Sequence, residues 1–406
     1  MTTVTFDDIL HARDRLDDDN VVRETPLENS RSLSAMAEAT VVMKMEHLQR
    51  TGSFKTRGAY NKLVQLAEAG DVSRVVAASA GNHAQGVALA ATETGLESTI
   101  VMPRHAPQAK INATRGYGGD VVLEGQDFQA AMAHAKTLAE DDDVAFVHAY
   151  DDPDIVAGQG TLALEMYEAL PDVDTVIVPI GGGGLISGIA TAFAELDPGV
   201  RIVGVQAESA ATVPESLDKG TPQEIDDPNT IADGIATGGI APLTFEIIDT
   251  HVDEIITVTD DQIAQATLIL LERAKQLVEG AGATSVAGLL DDDLDVCGET
   301  VMPLLCGGNI DISMLQTVLE HALTDREQLL RLRVRIEDQP GKMADLSGTI
   351  SDLGANIRTV RHDRAVEGLQ VGEAYLVFQV VTSGHGHARE VIDTIESGGY
   401  DVTRVA

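Results

Sequence analysis

The chain has 406 residues, enough for two or three domains with a large core, and a 44% hydrophobic content that marks a globular protein. Its 65 acidic and 28 basic residues give a formal charge of −37, a field that repels nucleic acid and anionic membrane surfaces and excludes both as partners. The acidic residues are dispersed in small clusters such as Asp17-Asp18-Asp19 and Asp291-Asp292-Asp293, and eight lysines stand against twenty arginines. That balance is expected of a halophilic protein, whose high-salt cytoplasm shortens the range of self-repulsion to roughly 3 Å at 1 M salt.

Taken in chain order, Thr5-Phe-Asp-Asp8 is a capping box that opens a helix reaching about residue 16. A helix over 33–38 and a β-branched strand over 41–45 follow. Ser53 is the expected N-cap of the next helix, which places Lys55 in its first turn. Strands are then predicted over 72–78, 96–102, 119–123, 144–147, 175–178, 201–205, 252–258 and 300–305. Helices are predicted over 128–139, 185–194, 261–278 and 285–290. This βαβα alternation implies parallel sheets covered on both faces. Composition shifts after Leu323. A strand over 331–336, the loop Asp338-Gln-Pro-Gly341, a helix over 343–353, strands over 356–362 and 374–381, a helix over 388–397 and a strand over 402–405 follow. That order is the βαββαβ pattern of a small ferredoxin-like domain. The polar N-terminal stretch lacks a signal-peptide pattern. The uncharged run 176–194 contains Pro179 and five glycines, which fits a buried strand, loop and helix rather than a membrane span. A soluble cytoplasmic protein is expected.

Three strand-to-helix junctions and one lysine carry the chemistry. A helix N-terminus disfavours an ammonium, so Lys55 is pushed toward its neutral, nucleophilic form, which can condense with an aldehyde. In Ser79-Ala-Gly-Asn-His-Ala-Gln-Gly86 small residues let backbone N–H groups reach a carboxylate, and Asn82 can bond a cofactor ring oxygen. Gly181-Gly-Gly-Gly-Leu185 forms an anion cup suited to a phosphate. It lacks the lysine of a P-loop and the last glycine of a dinucleotide fingerprint. As a mere turn it would cost roughly 0.5–1 kcal/mol per glycine relative to alanine in a regular element. In Leu305-Cys-Gly-Gly-Asn309, Cys306 ends a strand, where its thiol either faces a ring nitrogen or is simply a small buried residue. The two cysteines form no disulfide framework, none of the 11 histidines has metal-site spacing, and Ser187 lacks a nucleophile elbow.

Together, Ser53-Phe-Lys-Thr-Arg-Gly-Ala59, the 79–86 loop, Gly158-Gln-Gly-Thr161, Pro179-Ile-Gly-Gly-Gly-Gly-Leu185, Asp233-Gly-Ile-Ala236 and Cys306-Gly-Gly-Asn309 resemble the threonine/serine dehydratases. These form the threonine ammonia-lyase branch of the fold-type-II pyridoxal-phosphate enzymes. The resemblance implies a tryptophan synthase β-like α/β fold with two parallel-sheet catalytic subdomains, a large one from 1–52 and 151–323 and a small one from 53–150. The tail 331–406 resembles an ACT domain, a regulatory module of amino-acid enzymes. By the same resemblance Lys55 would hold pyridoxal 5'-phosphate as a Schiff base and remove the substrate α-proton. Phe54 would pack at the pyridine ring, Asn82 bond its phenolic oxygen, and Gly181, Gly182, Gly183, Gly184 and Leu185 cradle the phosphate. Cys306 would face the pyridine nitrogen, where many relatives have serine. Ser79, Ala80, Gly81, Asn82 and His83 would bind the substrate carboxylate through backbone N–H groups. Threonine would then give 2-oxobutanoate and ammonia, and serine pyruvate, with isoleucine biosynthesis or threonine breakdown as the setting.

Serine racemases, close relatives, bind a divalent cation through an acidic pair. Glu208 matches the first carboxylate, but Pro214 stands at the second, which leaves a monovalent cation as the alternative. In the tail, Asp338, Pro340 and Gly341 are the expected effector loop, for isoleucine or another amino acid, and relatives are commonly dimers or tetramers. A serine/threonine racemase is the alternative activity. A non-catalytic amino-acid-binding protein is opposed by the intact Lys55, Asn82 and glycine cup.

Overall fold

The computed structural model describes residues 3–17, 21–364 and 366–405, so Asp18 and Asp19 of the first acidic cluster lie outside the described residues. The chain forms two compact units, one ending at Leu315 and the other beginning at Gln316.

The first unit holds two sheets. The larger runs in the order Leu27–Asn29, Thr40–Lys44, Thr300–Pro303, Thr175–Pro179, Arg201–Ala207, Glu254–Val258, parallel throughout except for the antiparallel edge strand Leu27–Asn29. The smaller is all parallel, in the order Asp120–Leu123, Glu97–Met102, Arg74–Ala78, Val144–Phe146. Strands such as Thr175–Pro179 are buried along their whole length, as runs of β-branched residues covered on both faces must be. Parallel strands joined by crossover helices end at one edge of each sheet, where ligands bind. Thr40–Lys44, Arg74–Ala78, Thr175–Pro179 and Thr300–Pro303 feed the segments that carry Lys55, Asn82, the four glycines and Cys306.

The Thr5–Asp8 capping box forms, with Thr5 and Asp8 bonded to each other's N–H groups ahead of the helix Phe6–Asp17. The capping role expected of Ser53 does not hold. The helix Lys55–Ala69 has Phe54 at its N-cap position with no side-chain bond to the helix end, and Ser53 Oγ is buried without a hydrogen-bond partner. The reason is long-range. Ser53 pairs with Gly307 in an antiparallel bridge, and the Phe54 N–H donates to the Cys306 carbonyl at 3.2 Å. The helix expected over 261–278 is also shorter. It runs Asp260–Ile269, widens into a π-turn over Leu270–Ala274 and stops at Lys275, whose φ is +61°. The released segment carries Glu279 back to the strand ends, where its N–H donates to the Gly307 carbonyl at 3.2 Å.

The next helix, Gly280–Leu289, starts five residues before the expected 285–290, across glycines that carry a helical penalty. A Cβ at Gly282 would lie 2.4 Å from the Gly307 carbonyl oxygen, so close packing against the Cys306 segment selects glycine there. The helix Pro153–Ala169 escapes a periodicity reading because it is apolar nearly all round and buried.

A buried polar network anchors the helix that carries Lys55. The five N–H groups of Arg57 meet Glu46 through Nε at 2.7 Å and Nη2 at 3.1 Å, Glu165 at 2.6 Å, Thr161 at 3.3 Å and the Arg23 carbonyl at 3.3 Å. Lys44 bonds Glu165 and the Thr25 carbonyl, both at 2.6 Å. Two cations thus face two anions, with Arg57, Lys44 and Glu46 each at most 1% exposed. Burial alone would lower the Arg57 pKa, but Glu46 and Glu165 hold it above the usual guanidinium value.

The second unit is the βαββαβ fold. Its antiparallel sheet runs Asn356–Asp363, Glu373–Val381, Leu329–Glu337, Asp401–Arg404. Alternate residues Leu332, Val334, Leu376 and Phe378 form its core with Leu346 and Ile350 of the helix Lys342–Asp352 and Val391 and Ile395 of the helix His385–Ser397. Among the described residues no helix is long and apolar enough to cross a membrane.

Candidate active site

A cleft lies in the first unit, lined by Phe54, Lys55, Asn82, Tyr150, Gly181–Gly184, Leu185, Gly234, Ile235, Thr237, Glu279, Ala281 and Cys306. Lys55 Nζ donates to the Ala149 carbonyl at 3.1 Å and lies 5.0 Å from the centroid of the Phe54 ring. Desolvation lowers its pKa to about 8, against the opposing pull of Cys306 and Glu279. Its neutral fraction near neutral pH is therefore far above that of an ordinary lysine.

The four glycines follow Thr175–Pro179 and lead into the helix Gly184–Leu196, whose start carries no side-chain cap. Its first N–H groups have no intrahelical partner and the dipole adds positive potential, a setting made for an anion. The glycines are sterically required. A Cβ at Gly182 would fall 2.3–2.4 Å from three ring carbons of Tyr150, one at Gly181 3.0 Å from Ile235 Cα, and Gly183 has φ +88°. Thr244 Oγ1 donates to the Gly182 carbonyl at 2.9 Å and braces the turn.

Asn82 opens the helix Asn82–Thr94. Its Nδ2 donates to Glu279 Oε1 at 2.6 Å, and its Oδ1 accepts from Asn309 Nδ2 at 2.8 Å. Burial, then Asp233, raise the Glu279 carboxyl pKa to about 7 against the Asn82 hydrogen bond and Lys110. Cys306 Sγ donates to the Ala281 carbonyl at 3.4 Å, and burial, then Glu279, hold the thiol above its ordinary range, so it stays uncharged.

Two N–H groups of the 79–83 loop have partners within the protein. The Ser79 N–H donates to the Val101 carbonyl at 3.2 Å, and the Gly81 N–H donates to Ser79 Oγ at 3.1 Å. Asn82 and His83 start the helix, where N–H groups have no intrahelical acceptor, and Ala80 precedes them. The His83 ring is buried with Nε2 3.0 Å from the Val147 carbonyl, so Nε2 carries the hydrogen. Desolvation, then Lys55, depress its pKa to about 3 and keep it neutral.

The profile of the pyridoxal-phosphate dependent enzymes matches residues 19–307. The chain belongs to the pyridoxal-phosphate dependent enzymes. It is similar to the L-threonine ammonia-lyase of Thermotoga maritima, with 43% identity over 399 residues that cover 98% of this chain and 99% of that one. Among solved structures it is similar to the processed form of threonine deaminase isoform 2 from Solanum lycopersicum, with TM-score 0.74 and 36% identity over 79% of this chain and 95% of the other. Maize serine racemase superposes with TM-score 0.74 and 32% identity over 80% of this chain and 100% of the other.

Within this pyridoxal-phosphate dependent enzyme, Lys55, Phe54, Asn82, the four glycines, Leu185 and Cys306 line one cleft. Glu208 does not join it; it opens a short turn, Glu208–Ala210, where it is exposed, and no group of three or more metal-ligating side chains occurs among the described residues. In the second unit Asp338 pairs with Arg364 at 2.7 Å and lies 3.3 Å from His362 Nε2, and Gly341, at φ +99°, precedes the helix Lys342–Asp352. Tyr150, Glu279 and Asn309 carry no role in the sequence reading. Glu279 had a signal, as the lone charged residue in the run 276–290.

Proposed function

We propose that the protein is an L-threonine ammonia-lyase that also accepts L-serine. The observation that carries this is the near full-length similarity to the Thermotoga maritima enzyme, joined to a cleft in which Lys55, the anion cup and an uncharged thiol meet. The cleft fits pyridoxal phosphate, since the four glycines lead into a helix start with no side-chain cap and the amine of Lys55 is tuned toward its neutral form. When bound, the cofactor supplies the electron sink that stabilises negative charge at the substrate Cα.

The roles of the chain's own residues follow. Lys55 Nζ anchors the cofactor and, once released by the incoming amino acid, accepts the α-proton. The β-hydroxyl takes up one proton, balancing the one that Lys55 accepts from the α-carbon, and departs as water; the enamine 2-aminocrotonate tautomerises and takes up one water to give 2-oxobutanoate and ammonia. Gly181–Gly184 and Leu185 hold the phosphate with main-chain groups, and Asn82 donates to the ring oxygen. Ala80, Asn82 and His83 offer N–H groups to the substrate carboxylate. The uncharged Cys306 thiol leaves the pyridine nitrogen without the anion that would favour its protonation, so loss of the β-substituent outcompetes transamination. The effector loop Asp338–Gly341 binds an amino acid such as isoleucine, in a cytoplasmic homodimer or homotetramer.

The test is an assay of protein purified in molar KCl with L-threonine and L-serine, scoring 2-oxoacid, ammonia and D-isomer. 2-Oxobutanoate and ammonia in equal amounts are expected. D-Serine as main product would instead favour a racemase, the second reading that the maize serine racemase similarity motivates. Isoleucine is expected to shift the threonine saturation curve, and an unchanged curve would remove it as the effector. Gly182→Ala is expected to weaken cofactor binding about 5- to 150-fold, since its methyl must displace Tyr150 at about 1–3 kcal/mol of overpacking. Titration of the apoprotein with pyridoxal phosphate checks this.

A further inference from the structure

An asparagine amide has two orientations of nearly the same shape that exchange a donor for an acceptor, so its neighbours decide which group it presents. Around Asn82 those neighbours form a chain with a fixed direction. It begins at the Thr51 carbonyl, which can only accept. Asn309 Nδ2 lies 2.6 Å from that oxygen and must donate to it, which identifies the nitrogen of the Asn309 amide. The same nitrogen donates its second hydrogen to Asn82 Oδ1 at 2.8 Å. Asn82 Nδ2 therefore points the other way, and it donates to Glu279 Oε1 at 2.6 Å. One N–H of Asn82 is left, and Asn82 lines the cleft.

We infer that Asn309 and Glu279 are positioning residues that lock the Asn82 amide with its nitrogen toward the cleft, so that a donor and not a carbonyl oxygen meets the cofactor ring oxygen. This rests on the cofactor assignment proposed above. Reversing Asn82 would set its oxygen against the Glu279 carboxylate and its N–H groups against those of Asn309, so two hydrogen bonds would become two repulsions in a buried setting. The backbone supports the arrangement. A Cβ at Gly307 would fall 2.0 Å from Glu279 Oε1 and 3.2 Å from Asn82 Nδ2. Only glycine at 307 leaves room for the contact. Thr51 lies four residues before Lys55, so the relay also ties the anchoring lysine's own loop to the ring-oxygen donor.

The charged and titratable groups that act on Glu279 are Asp233, Lys110, Lys55 and Cys306. With its pKa raised to about 7, Glu279 is ionised and acceptor-only at pH 8, the condition for the test. Asn309→Asp is isosteric but cannot donate, so at pH 8 Asn82 faces a carboxylate on each side, neither orientation is matched on both, and the lock is lost. The expected result is a rise in the pyridoxal-phosphate dissociation constant of the apoprotein with an altered absorbance of the bound cofactor, reaching about tenfold, the effect of one lost hydrogen bond, where the reversed amide is the matched one. A double variant, Asn309→Asp with Glu279→Gln, separates positioning from scaffolding. There the reversed Asn82 is again matched on both sides, with the new amide at position 279 donating and the new carboxylate at position 309 accepting. The apoprotein's melting temperature therefore recovers relative to Asn309→Asp while cofactor affinity and absorbance stay impaired. Recovery of affinity together with melting temperature would overturn the inference, as would wild-type affinity and absorbance in Asn309→Asp. Failure of the wild-type protein to form a borohydride-fixable adduct at Lys55 would instead overturn the cofactor reading beneath it.

Discussion

Lys55→Ala is expected to lower the rate of 2-oxobutanoate formation by roughly four orders of magnitude or more, because on the proposed reading one amine would serve as covalent anchor and as proton acceptor. The anion cup and Asn82 are untouched, so the variant still takes up cofactor without a covalent bond. Borohydride reduction followed by peptide mass analysis is expected to label residue 55 in the wild type and nothing in the variant. The same amine sets a pH dependence. Its pKa is lowered to about 8, and only the neutral form attacks an aldehyde, so capture of cofactor by the apoprotein accelerates as pH rises toward 8 and levels above it. A rate that fell over that range would place the titrating group elsewhere.

Arg57→Ala is expected to cost about 3–5 kcal/mol of stability, read as a lower urea midpoint. The loss is larger than one ion pair is worth at the surface because Glu46 is fully buried and would keep an uncompensated charge. Removing the partner as well reverses the effect. Arg57→Leu combined with Glu46→Leu leaves Lys44 and Glu165 as a neutral pair and is expected to regain most of the loss. Arg57→Lys is expected to regain little, since an ammonium offers three hydrogens where five acceptors are arranged around a planar fork. Equal midpoints for the single and double variants would show that Glu46 is not the group Arg57 neutralises.

Much of this architecture is legible from local pattern. β-Branched runs located the parallel strands to within a residue or two, and alternation along 331–336 announced the strand Leu329–Glu337. The four glycines were readable as a strand-to-helix junction because few regular elements tolerate such a run, and they join Thr175–Pro179 to the helix Gly184–Leu196. What escaped depends on partners distant in sequence. Ser53 has the composition of a cap, but its backbone is drawn to Gly307. Arg57 gives no local sign of burial, and only Glu46 and Glu165, from other segments, offset the cost of placing its charge inside. Asn309 and Glu279 acquire meaning through the direction of hydrogen bonds to Thr51 and Asn82, which spacing does not encode. The helix over 261–278 failed at Lys275 because a π-turn shifts the backbone register without any proline or glycine to signal it.

The glycine cup has a bearing on the chain's charge. Lys55 is the one basic side chain among the described residues lining the cleft, so on the proposed reading the phosphate dianion would be met chiefly by aligned peptide dipoles rather than by arginine or lysine. A site built from counter-charges at the surface loses much of its hold when the Debye length shrinks to roughly 3 Å in molar salt. Fixed dipoles in contact with the ligand act over distances shorter than that. In a protein of net charge −37, cofactor retention at such a site is expected to depend little on ionic strength, and apoprotein titrations with pyridoxal phosphate at low and molar salt check this.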